Sequence, residues 1–154
     1  MSKLIKIYTD GSSIGNPGPG GYGIVMLSGD GEYKKEFSQG FKLTTNNRME
    51  LLAVIIGLET LKFKNCNVKI YTDSKYVSDA VEKGWLFDWV KKDFKNKKNP
   101  DLWRRFLEIY KDHKVKFQWI KGHNNDFYNE RCDFLANLAA KSSNLLEDKG
   151  YTIK

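Results

Sequence analysis

From Leu4 to Thr9 apolar and polar residues alternate in a run of strand formers, the two-residue period of a half-buried β-strand. Tyr22–Leu27 and Tyr33–Phe41 carry a similar pattern on either side of the Ser28–Gly31 turn and predict an antiparallel hairpin. Between the first strand and this hairpin, Gly11–Gly21 holds five glycines and two prolines and predicts no regular element. Thr44–Lys64 carries the strongest helical signal, with Met49, Leu52, Ala53, Ile56 and Leu58 keeping one face apolar. Asn47 and Glu50 stand at the spacing of a capping box, although its first member is usually Ser or Thr.

Farther on, Val68–Thr72 and Lys114–Ile120 read as strands. Ser74–Glu82, Asp101–Lys111 (led in by Pro100) and Asn129–Lys141 read as helices. The tail, residues 142–154, has no clear period and is expected to pack on the surface. Three strands followed by strand–helix alternation predict an α/β fold. Its sheet is mixed and five-stranded, antiparallel over the first three strands and parallel afterwards, with helices on both faces. No internal boundary divides residues 1–154, which are expected to form a single domain. A chain of this length buries roughly 70% of its unfolded surface.

Composition narrows the class. Hydrophobic residues make up 40% of the chain, a globular rather than disordered composition, and no apolar run reaches the ~20 residues of a membrane span. The N-terminus lacks a signal-peptide pattern. Cys66 and Cys132 sit in no metal-like spacing, so reduced thiols and a cytoplasmic setting are expected. The net charge of +7 is unevenly spread: residues 91–105, KKDFKNKKNPDLWRR, carry +5 of it. A concentrated basic segment is the footprint of a polyanion partner, although a solvated lysine-rich loop has the same charge.

The candidate chemistry lies in carboxylates. The pentapeptide KIYTD occurs twice, at Lys6–Asp10 and Lys69–Asp73. Its sequels differ, a glycine-rich stretch and a helix, so it is no repeat architecture. The shared lysine, isoleucine and tyrosine read as coincidence on similar strands. Two aspartates at the carboxyl ends of adjacent parallel strands would repel unless a cation lay between them, and hard oxygen donors suit magnesium or manganese. A single strand-end aspartate is otherwise a helix cap or turn former. Glu50 has a structural role available in its capping box. Asp133, one step off the apolar face of the last helix, reads as a surface residue or one that reaches the sheet edge. His123 lies in a polar loop, where a histidine is either solvated or a proton relay.

TDGSSIGNPGPGGYG, TTNNRMELLAVIIGLE, IYTDSKYV, WIKGH and NERCDFLANLAA resemble, in order and spacing, the motif set of bacterial-type (type 1) ribonuclease H. The resemblance runs from about residue 3 to 153 and includes the tail LEDKGYTI. It implies a ribonuclease H-like fold and an endonuclease that hydrolyses the RNA strand of RNA–DNA hybrids, leaving 3′-hydroxyl and 5′-phosphate ends. It also implies a two-metal-ion mechanism with Mg2+, or Mn2+ as a substitute. Asp10, Glu50, Asp73 and Asp133 match the family's catalytic metal ligands, and His123 its loop histidine, assigned to proton transfer or product release.

Substrate contacts carry over in the same way. Gly11, Ser12, Ser13 and Asn16, with Asn46 and Asn47, match positions that read the hybrid's minor groove. Thr45 matches a position that grips a DNA-strand phosphate. Trp85, Trp89, Lys91, Lys92, Lys95, Lys97 and Lys98 resemble the basic protrusion, about residues 83–100, that holds the DNA strand. Trp89, Trp103 and Trp119 read equally well as core. The chain departs from the family in a shorter segment between Trp89 and Asp101, in Lys75 where some members have Gln, and in Asn124–Tyr128, which lacks the proline and second histidine of some relatives. A free-standing monomeric enzyme with no membrane association is expected. Recruitment to replication or repair proteins is not legible. Two other readings are a DNA nuclease of the same fold and a non-catalytic hybrid-binding module. The ribose-reading Asn46–Asn47 pair opposes the first, and the complete carboxylate set opposes the second.

Overall fold

The computed structural model describes residues 4–29, 31, 33–122 and 124–151. Strands β1 (Leu4–Ser13), β2 (Gly18–Ser28) and β3 (Tyr33–Thr44) are followed by helix α1 (Asn46–Glu59) and strand β4 (Asn67–Thr72). Helices α2 (Lys75–Glu82), α3 (Trp85–Lys91) and α4 (Pro100–Tyr110) lead to strand β5 (Lys114–Trp119), helix α5 (Phe127–Ala140) and the short strand β6 (Leu145–Leu146). The sheet runs β5-β4-β1-β2-β3-β6. β1, β2 and β3 pair antiparallel, whereas β1–β4, β4–β5 and β3–β6 pair parallel. This is the mixed sheet expected from the sequence, with a sixth strand supplied by the tail.

Side chains alternate between the two faces of the sheet. Ile7 and Ile24 face α1, where they meet Gly57, and the main core extends from there to α2, α4, Trp103 and Phe106. Tyr8, Val25 and Leu27 face α5, packing with Cys132, Leu135 and Tyr128. Because α1 lies between the sheet and α4, it is buried almost all round. The single apolar face read from Met49, Leu52, Ala53, Ile56 and Leu58 understates a set that also includes Leu51, Val54 and Ile55.

The central pairing is the parallel register of β1 on β4: Lys6 opposite Lys69, Ile7 opposite Ile70, Tyr8 opposite Tyr71. The two KIYTD copies therefore lie side by side in phase. Ile7 and Ile70 are fully buried, and the rings of Tyr8 and Tyr71 stack with centroids 4.4 Å apart. The identity read as coincidence corresponds to cross-strand pairs, the unit by which sheets are stabilised.

Other boundaries differ for local reasons. β1 continues through Gly11–Ser13 and β2 begins at Gly18, so only the middle of the glycine-rich stretch is irregular. Gly21 in this stretch and Gly23 just beyond it let α5 approach closely: a methyl group at Gly23 would run into the Cys132 carbonyl. α1 is shorter than the predicted Thr44–Lys64, ending at Glu59, and its cap is Thr45, whose hydroxyl accepts from Arg48 N at 3.2 Å. The Asn47–Glu50 capping box does not form. α5 starts earlier than Asn129 because Asp126 caps it, accepting from the Tyr128 and Asn129 amides at 3.1 and 3.0 Å. α3 forms in the segment left without an element, with Leu86 buried beneath it.

Gly23→Ala should therefore displace α5 and cost ~1–3 kcal/mol, the usual penalty of overpacking. Urea unfolding monitored by circular dichroism measures it, and a midpoint equal to that of the parent protein would contradict this packing.

Candidate active site

Asp10 lies within β1 rather than at its end, paired across the sheet with Gly23, and is 5% exposed. Asp73 follows the last residue of β4. The N-cap of α2 is its neighbour Ser74, whose hydroxyl accepts from Val77 N at 3.3 Å, so Asp73 is free of the capping role. Glu50 projects from the second turn of α1 toward β1, and its Oε1 accepts the Gly11 amide at 2.8 Å. Gly11 is needed for that approach, because a methyl group there would collide with the backbone of Met49 and Glu50. Carboxylate oxygens of Asp10, Glu50 and Asp73 lie within 4.8 Å of one another.

Asp133 reaches the cluster from α5. Its carboxylate stands beside that of Asp10, where it favours the protonated form of Asp10. Thus Asp133, which read as a surface or sheet-edge residue, faces the other carboxylates. Burial pushes Asp10 above the usual carboxylate range, and the charges of Asp73 and Asp133 push it further. Burial likewise raises Glu50 well above its ordinary value, reinforced by Asp10 and Asp73 and opposed by the Gly11 amide. A set of hard oxygen donors that pays this electrostatic penalty when ionised fits a divalent cation, whose charge reverses it.

Three amide donors orient the cluster, and two of them carry no signal in the sequence. Asn129, 2% exposed, aims Nδ2 at Asp73 Oδ2 at 3.4 Å, the outer range of a hydrogen bond. Asn137 Nδ2 donates to Asp133 Oδ1 at 3.1 Å and accepts through Oδ1 from Ser12 Oγ at 3.2 Å. The third is the Gly11 amide on Glu50. The Trp119 indole donates to the Asp73 carbonyl at 3.0 Å, so this half-exposed tryptophan braces the site rather than filling the core. Nothing in the sequence marks out either asparagine: Asn129 meets Asp73 from 56 residues away, and Asn137 meets Asp133 one turn back on the same helix. His123 lies outside the described residues. Its neighbour Gly122 packs so closely on Asp73 that an added methyl group would sit 2.8 Å from Oδ2.

The proposed substrate positions divide into two groups. The Ser13 amide and hydroxyl donate to Asn46 Oδ1 at 2.6 and 3.0 Å, and the Asn46 amide donates to Asn16 Oδ1 at 3.1 Å. With Gly11, Ser12, Thr45 and the exposed Asn47, they form one surface at the start of α1. Elsewhere, Trp85, Asp88, Trp89, Lys92, Lys95 and Lys97 line a cavity of about 190 Å³. The Lys97 ammonium lies 5.1 Å from the Trp89 ring centre. Lys91 and Lys98 are exposed but do not line this cavity. Lys75 stands apart, its ammonium 4.7 Å from the Trp119 ring centre. Of the three tryptophans left between core and surface, only Trp103 is fully buried; Trp89 packs against the core edge. Among the described residues no helix is long and apolar enough to cross a membrane.

Known proteins share both sequence and architecture with this chain. The RNase H family profile matches residues 2–141. A ribonuclease H of Desulforamulus reducens is 58% identical over 93% of this chain and 91% of its own length. One of Trichodesmium erythraeum is 53% identical over 96% and 95%. The crystal structure of LC9-RNase H1, described as a type 1 RNase H with the type 2 active-site motif, superposes with a TM-score of 0.82. It is 31% identical, with 98% of this chain and 80% of that one covered. LC11-RNase H1, solved in complex with an RNA/DNA hybrid, gives a TM-score of 0.67 at 28% identity over 88% of this chain and 96% of its own. Sequence, sheet order and the clustered carboxylates agree: the chain belongs to the ribonuclease H family.

Proposed function

We propose that this chain hydrolyses the RNA strand of RNA–DNA hybrids with two divalent metal ions, leaving 3′-hydroxyl and 5′-phosphate ends. It acts as a single-domain monomer in the cytoplasm. The observation that carries this reading is the buried Asp10 at the centre of a carboxylate cluster drawn from two strands and two helices. Asp10 and Asp133 would hold one Mg2+, and Asp10, Glu50 and Asp73 the other, with Mn2+ as a substitute. When bound, such ions lower the pKa of the attacking water and stabilise charge on the leaving 3′-oxygen.

The chain's own residues supply orientation. The Gly11 amide, Asn129 and Asn137 fix Glu50, Asp73 and Asp133 respectively, so the donor oxygens are held before substrate arrives. His123 moves a proton or assists product departure. Gly11, Ser12, Ser13, Asn16, Asn46 and Asn47 read the minor groove, where amides that donate and accept suit the 2′-hydroxyl. Thr45 grips a DNA phosphate while capping α1. Trp85 and Trp89 stack on the DNA strand, and Lys75, Lys91, Lys92, Lys95, Lys97 and Lys98 neutralise its phosphates.

Incubation with labelled RNA–DNA hybrid, duplex RNA and duplex DNA tests the reading directly. Magnesium-dependent cutting of the hybrid's RNA strand alone is expected; binding without cutting would sink the proposal. Asp10→Asn should lower cleavage at least ~1,000-fold, since metal charge is worth several kcal/mol and each 1.4 kcal/mol is tenfold. Its hybrid affinity should remain close to that of the parent.

Asp10 and Glu50 also give a pH signature. Their folded pKa values are raised, so the folded state binds more protons than the unfolded chain. Without metal, the stability these two groups contribute should be fully present below the ordinary carboxylate pKa and be lost as pH rises toward the raised folded values. Thermal unfolding across that window checks the sign: Mg2+ or Asp10→Asn should flatten the decline, and a metal-free protein that gains stability from these groups over the same window contradicts it.

Replacing Lys92, Lys95 and Lys97 by Gln should raise KM and reduce the salt slope of binding by roughly one unit for each phosphate no longer neutralised. The same change at Lys91 and Lys98, outside the cavity, should do less. Equal salt slopes in all variants would return the segment to a solvated loop.

A further inference from the structure

The tail does more than lie on the surface, because its Asp148 joins the most heavily bonded charge cluster of the described residues. Arg48 is 2% exposed. Its Nε and Nη2 donate to the two oxygens of Asp148 at 2.7 and 2.9 Å, and its Nη1 and Nη2 donate to those of Asp101 at 2.9 and 2.7 Å. Gly150 closes over this cluster: a methyl group there would collide with the Asp101 carboxylate and lie 2.8 Å from Arg48 Nη2.

Two branches leave the cluster, and both end at proposed substrate contacts. In the first, Asp148 Oδ2 also accepts from Thr44 Oγ1 at 2.6 Å. Thr44 and Arg48 flank Thr45, Asn46 and Asn47, so a single tail carboxylate holds the turn at both ends. In the second, Arg48 Nη1 donates to Asn99 Oδ1 at 3.2 Å, and Asn99 Nδ2 donates to Tyr76 Oη at 3.0 Å. The Trp103 indole donates to the same Tyr76 oxygen at 2.9 Å and meets Trp89 edge-on with ring centres 5.8 Å apart. Trp89 lines the lysine-rich cavity.

We propose that Asp148 and Arg48 are positioning residues for the hybrid: the tail carboxylate fixes the Thr45–Asn47 turn, and Arg48, through Asn99, fixes the base of the basic segment in the same frame. The inference rests on the hybrid-cleaving reading of the site. Neither residue is assigned a contact with substrate. Their role is to keep two separate grips at the spacing one duplex needs, a matter of affinity more than of the chemical step.

The test compares Asp148→Asn, Gly150→Ala and Arg48→Lys with Leu27→Ala, a destabilised control on the α5 side of the sheet. All are assayed well below their unfolding midpoints. Asp148→Asn, Gly150→Ala and Arg48→Lys should raise KM about fivefold or more, the lower end of site-to-site coupling, with kcat changed by no more than about twofold. Lysine keeps the charge of Arg48 but cannot span both carboxylates and Asn99. Kd for a labelled hybrid, measured in an Asp10→Asn background, should rise in parallel, while the Leu27→Ala control should hold its affinity. Unchanged KM and Kd in Asp148→Asn would overturn the proposal and leave a stability clamp. An equal affinity loss in Leu27→Ala, or a fall in kcat alone, would overturn it too. If the parent protein failed to cut hybrids but the Kd differences persisted, the cleavage reading would fall and the positioning role would stand.

Discussion

The site depends on one parallel strand pair and its register. With Tyr8 opposite Tyr71, Asp10 on β1 and Asp73 just past the end of β4 each follow two residues later, two carboxylates brought to the same level of the sheet. A one-residue slip would move one of them to the opposite face. The pairs below them resist that slip: Ile7 and Ile70 are sealed in the core, and the two tyrosine rings stack on the other side. Fixed this way, the aspartates cannot relieve their repulsion by moving apart. Burial, and then the charges of Asp73 and Asp133, raise the pKa of Asp10, which is how a protein keeps a cation site assembled before the cation arrives.

Two glycines complete the cluster by admitting helices where side chains would block them. Gly11 follows Asp10 along β1 and lies against the backbone of Met49 and Glu50. Gly23 faces Asp10 across the β1–β2 pair and lies against the carbonyl of Cys132, one residue before Asp133. The buried aspartate therefore sits between two contact points, one docking the helix that carries Glu50 and the other the helix that carries Asp133. Loss of either glycine would change a distance between carboxylates as well as a packing density, so stability and catalytic geometry share the same positions.

Much of the sheet is legible in sequence, because period-two and helical patterns survive wherever an element buries one face. The readings fail where a tertiary partner supplies what the local pattern cannot. Gly11–Ser13 and Gly18–Gly21 extend their strands through sheet pairing, and at Gly11 and Gly21 a helix backbone packs where a side chain would block it, which turn statistics do not register. Glu50 looks like half of a capping box, but Thr45 caps the helix and frees Glu50 to take the Gly11 amide. Physical reading alone makes Asp10 and Asp73 a pair. Asp133 becomes notable only through resemblance, since its spacing on α5 does not reveal that the helix meets the sheet beside β1. Asn129 and Asn137 carry no signal at all, and Trp119 none for its bracing role: Asn129 and Trp119 act on Asp73, far away in the chain, and the bond from Asn137 to Asp133 on the same helix gains meaning only where α5 meets the sheet.

The charge cluster at Arg48 completes the contrast. Buried ion pairs contribute little net stability relative to well-packed apolar residues, because desolvation offsets most of their attraction. A buried guanidinium with two carboxylates and an asparagine is thus a poor way to hold helices on a sheet, and the extensive apolar core beside it already does so. What such a cluster does well is fix directions, since a planar fork with all its donors engaged tolerates little displacement of its partners. Here those partners are a tail residue, the start of α4 and, through the shared carboxylate, the residue before the α1 cap. The four-carboxylate cluster and this cluster are then complementary uses of buried charge: one is left unneutralised so that a cation will bind, the other is fully satisfied so that the surfaces around that cation keep their spacing.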